Sequence, residues 1–114
     1  MKLLYHTDLT VEKWSQWSLC MQLANVGSEV HRIINYKKNG AIVDSRIAFE
    51  RALELIDLSV ADPKHSYGAK KEMLRVREAL VDYFVYDNEY GSSDQLWINY
   101  FDFFAFAAAK ERGV

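Results

Sequence analysis

The sequence predicts an all-α protein arranged as an up-down four-helix bundle, and three observations predict it. Apolar residues recur at helical spacing, with no alternating run long enough for a strand. Gly40, Gly68, Gly91 and Gly113 each fall at the edge of such a stretch, and the only proline, Pro63, falls in one of the gaps. The connections are short, which favours antiparallel neighbours.

Each element follows from its own signals. The first helix is expected to start after Thr10, a good N-cap with Glu12 in the first turn, and to run unbroken to about Lys38. Asn39-Gly40 stops it, and Lys37 and Lys38 suit its negative end. The second spans roughly Ile42 to Ala61 and ends at Asp62-Pro63. Lys64 to Gly68 connects it to a third helix, from about Ala69 to Tyr86. Asp87-Asn88-Glu89-Tyr90-Gly91 is a loop. Ser92 followed by Gln95, or Ser93 with Asp94, starts a fourth helix in capping-box fashion, and this helix reaches about Arg112.

The totals bound what these helices can be. With 114 residues, half of them hydrophobic and 14% aromatic, residues 1–114 form one domain with a single core. A net charge of -2 argues against broad, non-specific nucleic-acid binding, which needs a basic stripe. A lone cysteine, Cys20, leaves no internal disulfide and suits a reducing cytoplasm. His6 and Asp8 interrupt the N-terminal stretch before any leader-like apolar region develops. The longest apolar run, Phe103 to Ala109, is too short to span a bilayer.

On a helical wheel the first helix has a core stripe of Leu19, Leu23, Val26, Val30, Ile33 and Ile34. Trp14, Trp17 and Met21 form a second apolar row on its opposite side. The second helix is expected to bury Phe49, Leu53, Ile56 and Val60, a stripe widened by Ala48 and Ala52, and the third Met73, Val76, Leu80, Tyr83 and Phe84. The fourth is aromatic nearly all round. Trp97, Tyr100, Phe101 and Phe104 make one stripe, Phe103 widens it, and Phe106 lies near the opposite face. In a four-helix monomer no helix is surrounded on every side. The expected interface of a two-fold homodimer is therefore Trp14, Trp17, Met21, Phe103 and Phe106.

Local catalytic motifs are absent. No Glu has a His three positions later, as di-metal bundles require. The histidines His6, His31 and His65 lack metal-ligand spacing, and there is no phosphate loop, nucleophile elbow or zincin motif. No cofactor or metal site is expected. His31 and Cys20 read as structural residues on the flank of the core. What remains is polar. Arg77 projects beside Met73, Leu80 and Phe84 and needs a carboxylate, with Glu29, Glu50 and Asp57 as candidates. Arg32 lies one turn from Glu29, and Gly27 in mid-helix admits close approach of a helix or ligand. These residues form either a structural ion-pair network, the preferred reading, or a small anion pocket. Asp87 and Glu89, with Asp94, could meet a divalent cation, although their spacing is that of a turn between helices and not of an EF-hand.

The stretches Leu23-Ala24-Asn25-Val26-Gly27-Ser28-Glu29-Val30, Ala48-Phe49-Glu50-Arg51-Ala52-Leu53-Glu54-Leu55, Leu74-Arg75-Val76-Arg77-Glu78 and Asp87-Asn88-Glu89-Tyr90-Gly91-Ser92 resemble a family of small all-helical proteins of bacteria and archaea. That family has no established activity. In length and helix order the chain is also similar to HEPN domains, dimeric helical bundles that partner minimal nucleotidyltransferases or act as ribonucleases. The active ribonucleases carry Arg, four to six residues, then His. Here Arg77 is followed by Asp82, so the resemblance implies the fold without the nuclease. The expected function is a non-enzymatic, homodimeric interaction module of the cytoplasm. The alternative is a nucleotide- or nucleic-acid-associated protein using Arg32, Arg77 and the Asp87–Glu89 loop.

Overall fold

The first helix is not continuous. In the computed structural model, which describes residues 2–113, Thr10 caps a single turn, α1 (Val11–Trp14), accepting the Lys13 N–H on Oγ1 at 3.1 Å. The chain then breaks, and Ser18 caps α2 (Leu19–Lys38) by accepting the Met21 N–H at 3.1 Å. A serine that can satisfy a free N–H competes with helix continuation, and the carbonyls released by the break find donors. Gln22 Nε2 donates to Trp14 O (3.0 Å) and Trp17 O (3.2 Å). Lys64 Nζ donates to Ser15 O (2.6 Å) and Trp17 O (2.8 Å). Met1 and Val114, the ends of the predicted 1–114 domain, lie outside the described residues.

The other helices keep close to their sequence signals. α3 (Ile42–Ala61) follows Gly40, whose φ of 74° is the left-handed geometry that ends α2. α4 (Tyr67–Phe84) starts two residues earlier than expected, because Ser66 caps it through the Ala69 N–H. It also stops earlier. The Asp82 carboxylate accepts the backbone N–H groups of Glu89 (2.8 Å) and Tyr90 (3.1 Å), pulling the loop back over the last turn. α5 (Asp94–Glu111) is capped by Ser93, which accepts the Leu96 N–H at 3.1 Å. All five elements are α-helices, and no helix among the described residues is long and apolar enough to cross a membrane.

α2 lies between α3 and α5. Along its length Ser18 meets Glu111, Gly27 meets Phe101 and His31 meets Asp102, so α2 and α5 run in opposite directions. Gly27 is the point of closest approach. A Cβ there would stand 2.6 Å from the Cβ of Phe101. Phe101 is thereby fully buried and stacks on Trp97 with ring centroids 6.0 Å apart. Burial of such a side chain is worth roughly 1.5–3 kcal/mol. α4 docks on α3, and two tyrosines tie it to α5. Tyr83 Oη donates to Asp94 Oδ1 at 2.7 Å, and Tyr100 Oη donates to Glu72 Oε2 at 2.8 Å. Burial and the Asp94 bond push the Tyr83 hydroxyl up to about 12.

The core faces of α2 and α4 follow the wheels, with Tyr83 and Phe84 half-buried; α3 buries Ile56, Ala48 and Ala52 as expected, and its core face is turned somewhat toward Leu55 and Ser59. Its fully buried residues include Ala48, Ala52, Leu55 and Ser59, while Phe49, Leu53 and Val60 are half-buried. Small side chains face α2, which lets the two helices approach closely. The rotation also brings Ser59 to the Trp14 indole, which donates to Ser59 Oγ at 2.9 Å.

Candidate functional site

Two concavities collect the polar residues singled out in the sequence, and they are separate. The first lies between α2 and α3. Glu29, on the α2 flank that faces α3, is buried, being 3% exposed. Its Oε1 accepts Arg32 Nη1 at 2.8 Å, one helical turn away, and Arg51 Nε of α3 at 3.1 Å. Its Oε2 is buried with no hydrogen-bond partner. Glu29, both arginines, Tyr36 and Asp44 line a cleft of about 290 Å³ floored by Ile47 and Ala48. Sequence reasoning found Glu29 and Arg32 but not Arg51, which reaches Glu29 from α3.

The second concavity, of about 640 Å³, lies against α4 and the loop that follows it. It brings Arg77 together with Asp87 and Glu89, and adds Glu78, Asp82 and Tyr90. Arg77 does not reach Glu29 or Glu50. Its Nε donates to Asp57 Oδ1 at 2.9 Å and its Nη2 to Oδ2 at 3.4 Å, so Asp57 is the partner among the three candidates. Tyr90 Oη donates to Glu78 at 2.7 Å, and Asp87 and Glu89 stay exposed. Carboxylates dominate this bowl. Among the described residues no group of three or more His, Cys, Asp or Glu side chains converges closely enough to hold a metal ion.

Glu50 belongs to neither concavity. Its carboxylate accepts the Tyr5 hydroxyl and lines an apolar groove with Phe49, Phe84 and Val85. One turn on, Glu54 accepts the backbone N–H groups of Leu4, Tyr5 and His6 at 2.8–3.2 Å, and its Oε1 lies 2.9 Å from His6 Nδ1. Burial alone would raise the Glu54 carboxyl, but these donors outweigh it and hold it below its ordinary value.

A buried polar knot escaped sequence reasoning altogether. Asp62, fully buried, accepts Ser15 Oγ (2.9 Å), Gln22 Nε2 (2.9 Å), the Lys64 N–H (3.0 Å) and Lys64 Nζ (2.6 Å). Burial acts to raise its carboxyl, yet Lys64, Gln22 and Ser15 prevail and hold it far below the carboxylate range. Gln22 spends its amide on three acceptors, so its Oε1 accepts from His65 Nε2 at 2.8 Å. Burial keeps the His65 ring below its ordinary value, against the pull of Asp62. The knot ties the α1–α2 break to the α3–α4 connection. One signal was present: Gln22 falls at the edge of the α2 core stripe, where a polar residue needs partners.

The expected interface residues divide. Trp14 is corrected: it is 4% exposed and packs in the core, because the break after α1 turns its ring inward toward Ser59. Met21 is half-buried, while Trp17 is exposed. Phe103 and Phe106 are 66% and 64% exposed on the outer side of α5. His31 approaches Asp102 at 3.2 Å. Burial, with the Glu111 carboxylate nearby, pushes the Cys20 thiol up, which disfavours the nucleophilic thiolate. Compared with protein-family models, curated proteins and solved structures, the chain has no significant match.

Proposed function

We propose that this chain is a non-enzymatic interaction module that pairs with a second copy of itself through the outer face of α5. The carrying observation is the exposure of Phe103 and Phe106 on one side of a helix whose other side is already committed to the core. Large exposed aromatics in a row mark association surfaces. Leu96, Asn99, Phe103, Phe106 and Lys110 follow each other at the alternating three- and four-residue steps of a helix–helix seam. Trp17 extends the surface, since the neighbouring Ser18 bonds Glu111 at the same end of α5.

The opposed runs of α2 against α5, the α3–α4 packing and the two tyrosine links support reading the four long helices as an up-down bundle. The lone, half-buried Cys20 supports a reducing, cytoplasmic setting. The resemblance to small bacterial and archaeal helical proteins, and the looser HEPN likeness, stay part of this proposal and carry no activity with them. A nucleotide- or nucleic-acid-associated role is the competing reading. The predominance of carboxylates around Arg77 weighs against it, and saturable nucleotide binding lost in Arg77→Met would reinstate it.

Native mass spectrometry of freshly purified protein tests the self-association. A dimer is expected for the wild type, with Phe103→Ser and Phe106→Ser shifted to monomer while their circular dichroism is unchanged. A wild type that stays monomeric at high concentration overturns the reading.

A further inference from the structure

Independently of self-association, we infer that the apolar groove between α2, the start of α3 and the end of α4 docks an amphipathic helix of another protein, one whose apolar face is flanked by acidic residues. The floor of the groove is the buried Ile33 with the half-buried Phe49 and Phe84, whose rings meet edge to face at a centroid distance of 6.1 Å. Ile42, Val43 and Val85 form its walls and stand 76%, 72% and 54% exposed. At about 770 Å³ it is larger than either polar concavity and has room for several large side chains. Large apolar side chains gathered around one open concavity mark a surface that another molecule covers. α5 contributes nothing to its lining, so the groove is separate from the pairing face proposed above.

Charge sets the chemistry of the partner. Lys37 and Arg46 are exposed at the groove's edge, and neither pairs with a carboxylate among the described residues. Lys37 Nζ instead lies 5.4 Å from the centre of the Phe84 ring, a cation held against the apolar floor. Glu50, the carboxylate that lines the groove, is engaged by the Tyr5 hydroxyl. The groove therefore offers unspent positive charge beside apolar surface, and its complement carries carboxylates beside large apolar side chains. Shape sets the partner's form. The elements among the described residues are all helices, which leaves no sheet edge for an extended peptide to join as a strand. An acyl chain would cover the floor and leave the exposed walls in water. A helix presenting apolar side chains at i, i+3, i+4 and i+7 reaches floor and walls together, and Glu or Asp beside that face meets Lys37 and Arg46.

The probe is a synthetic peptide of ~18 residues, five helical turns, with Leu at that spacing and Glu along both flanks. An analogue with Lys in place of every Glu, and one broken by a central proline, are the comparators. Titrated into the isotopically labelled protein and followed by NMR, the acidic peptide should give saturable shifts at the Ile42, Val43, Phe84 and Val85 amides. Both comparators should bind at least about tenfold more weakly, a difference of ~1.4 kcal/mol. In the charge-reversed double variant Lys37→Glu, Arg46→Glu the preference should pass to the lysine peptide. Both positions are exposed, and a dispersed spectrum would show that the fold is retained; Arg46→Glu alone serves if it is not. The proposal is overturned if the acidic peptide does not saturate, if either comparator binds equally well, or if the folded variant keeps the wild-type preference. Sodium decanoate moving the same amides at lower concentration would overturn it in favour of an acyl chain. Dilution of the protein alone moving these amides, and not only those of α5, would overturn it in favour of a second copy.

Discussion

A single methyl group tests the tightest contact in the molecule. In Gly27→Ala the new Cβ would meet the Phe101 Cβ at 2.6 Å, and that atom is the root of a side chain and cannot swing aside. Alanine gains about 1 kcal/mol of helix propensity over glycine, whereas overpacking costs about 1–3 kcal/mol. We expect a net loss of stability in urea unfolding; a variant more stable than the wild type would show that α2 and α5 do not need this closeness. Asp62 makes the corresponding electrostatic test. Its folded pKa lies below the unfolded value of ~3.9, so its contribution is complete above that pH and is lost as the pH falls. His65, lowered by burial, contributes in the same direction below ~6.5, because protonation is easier once the chain unfolds. Asp62→Asn should therefore be less stable at neutral pH, by about 3 kcal/mol, and should show a shallower acid limb. An unchanged acid limb would remove Asp62 from the account.

At the scale of elements, caps and carboxylates outside the helices decide where the chain turns. Ser18 converts one long helix into two, and the freed carbonyls are held by Gln22 and Lys64. Glu54 fastens the extended N-terminal segment to α3 through three backbone donors. Glu54→Ala should release that segment without unfolding the helices. Hydrogen exchange at the Leu4, Tyr5 and His6 amides is expected to quicken at least about tenfold, as loss of ~1.4 kcal/mol of local stability implies, while the α2 core amides keep their protection. Equal acceleration in both regions would mean that Glu54 supports the whole fold.

At the scale of the molecule, the five helices cover one another unevenly. α2 is enclosed by α3 and α5, whereas α5 is covered on its inner side and keeps Phe103 and Phe106 in solvent. The proposed pairing follows from this asymmetry. Because its seam is aromatic, the dimer should tolerate salt. A sedimentation equilibrium that shifts strongly to monomer between low and high ionic strength would point to an ionic interface elsewhere.

The sequence by itself determined the α class, the extents of α3 and α5 to within a residue or so, and the core stripes of α2 and α4. These depend on periodicity and caps, which are local. It also determined that Arg77 needs a carboxylate and that α5 has more aromatic surface than one core can use. Only the tertiary structure decided that Asp57 answers Arg77, that Arg51 joins Glu29 and Arg32 in one cleft, and that Trp14 turns inward. It alone assembled Ser15, Gln22, Asp62, Lys64 and His65 into one buried knot. Those pairings join residues far apart along the chain, and they depend on how each helix is rotated against its neighbours. Rotation is set by the fit of side chains such as Ala48, Ala52 and Gly27 across an interface, and no single helix carries that information.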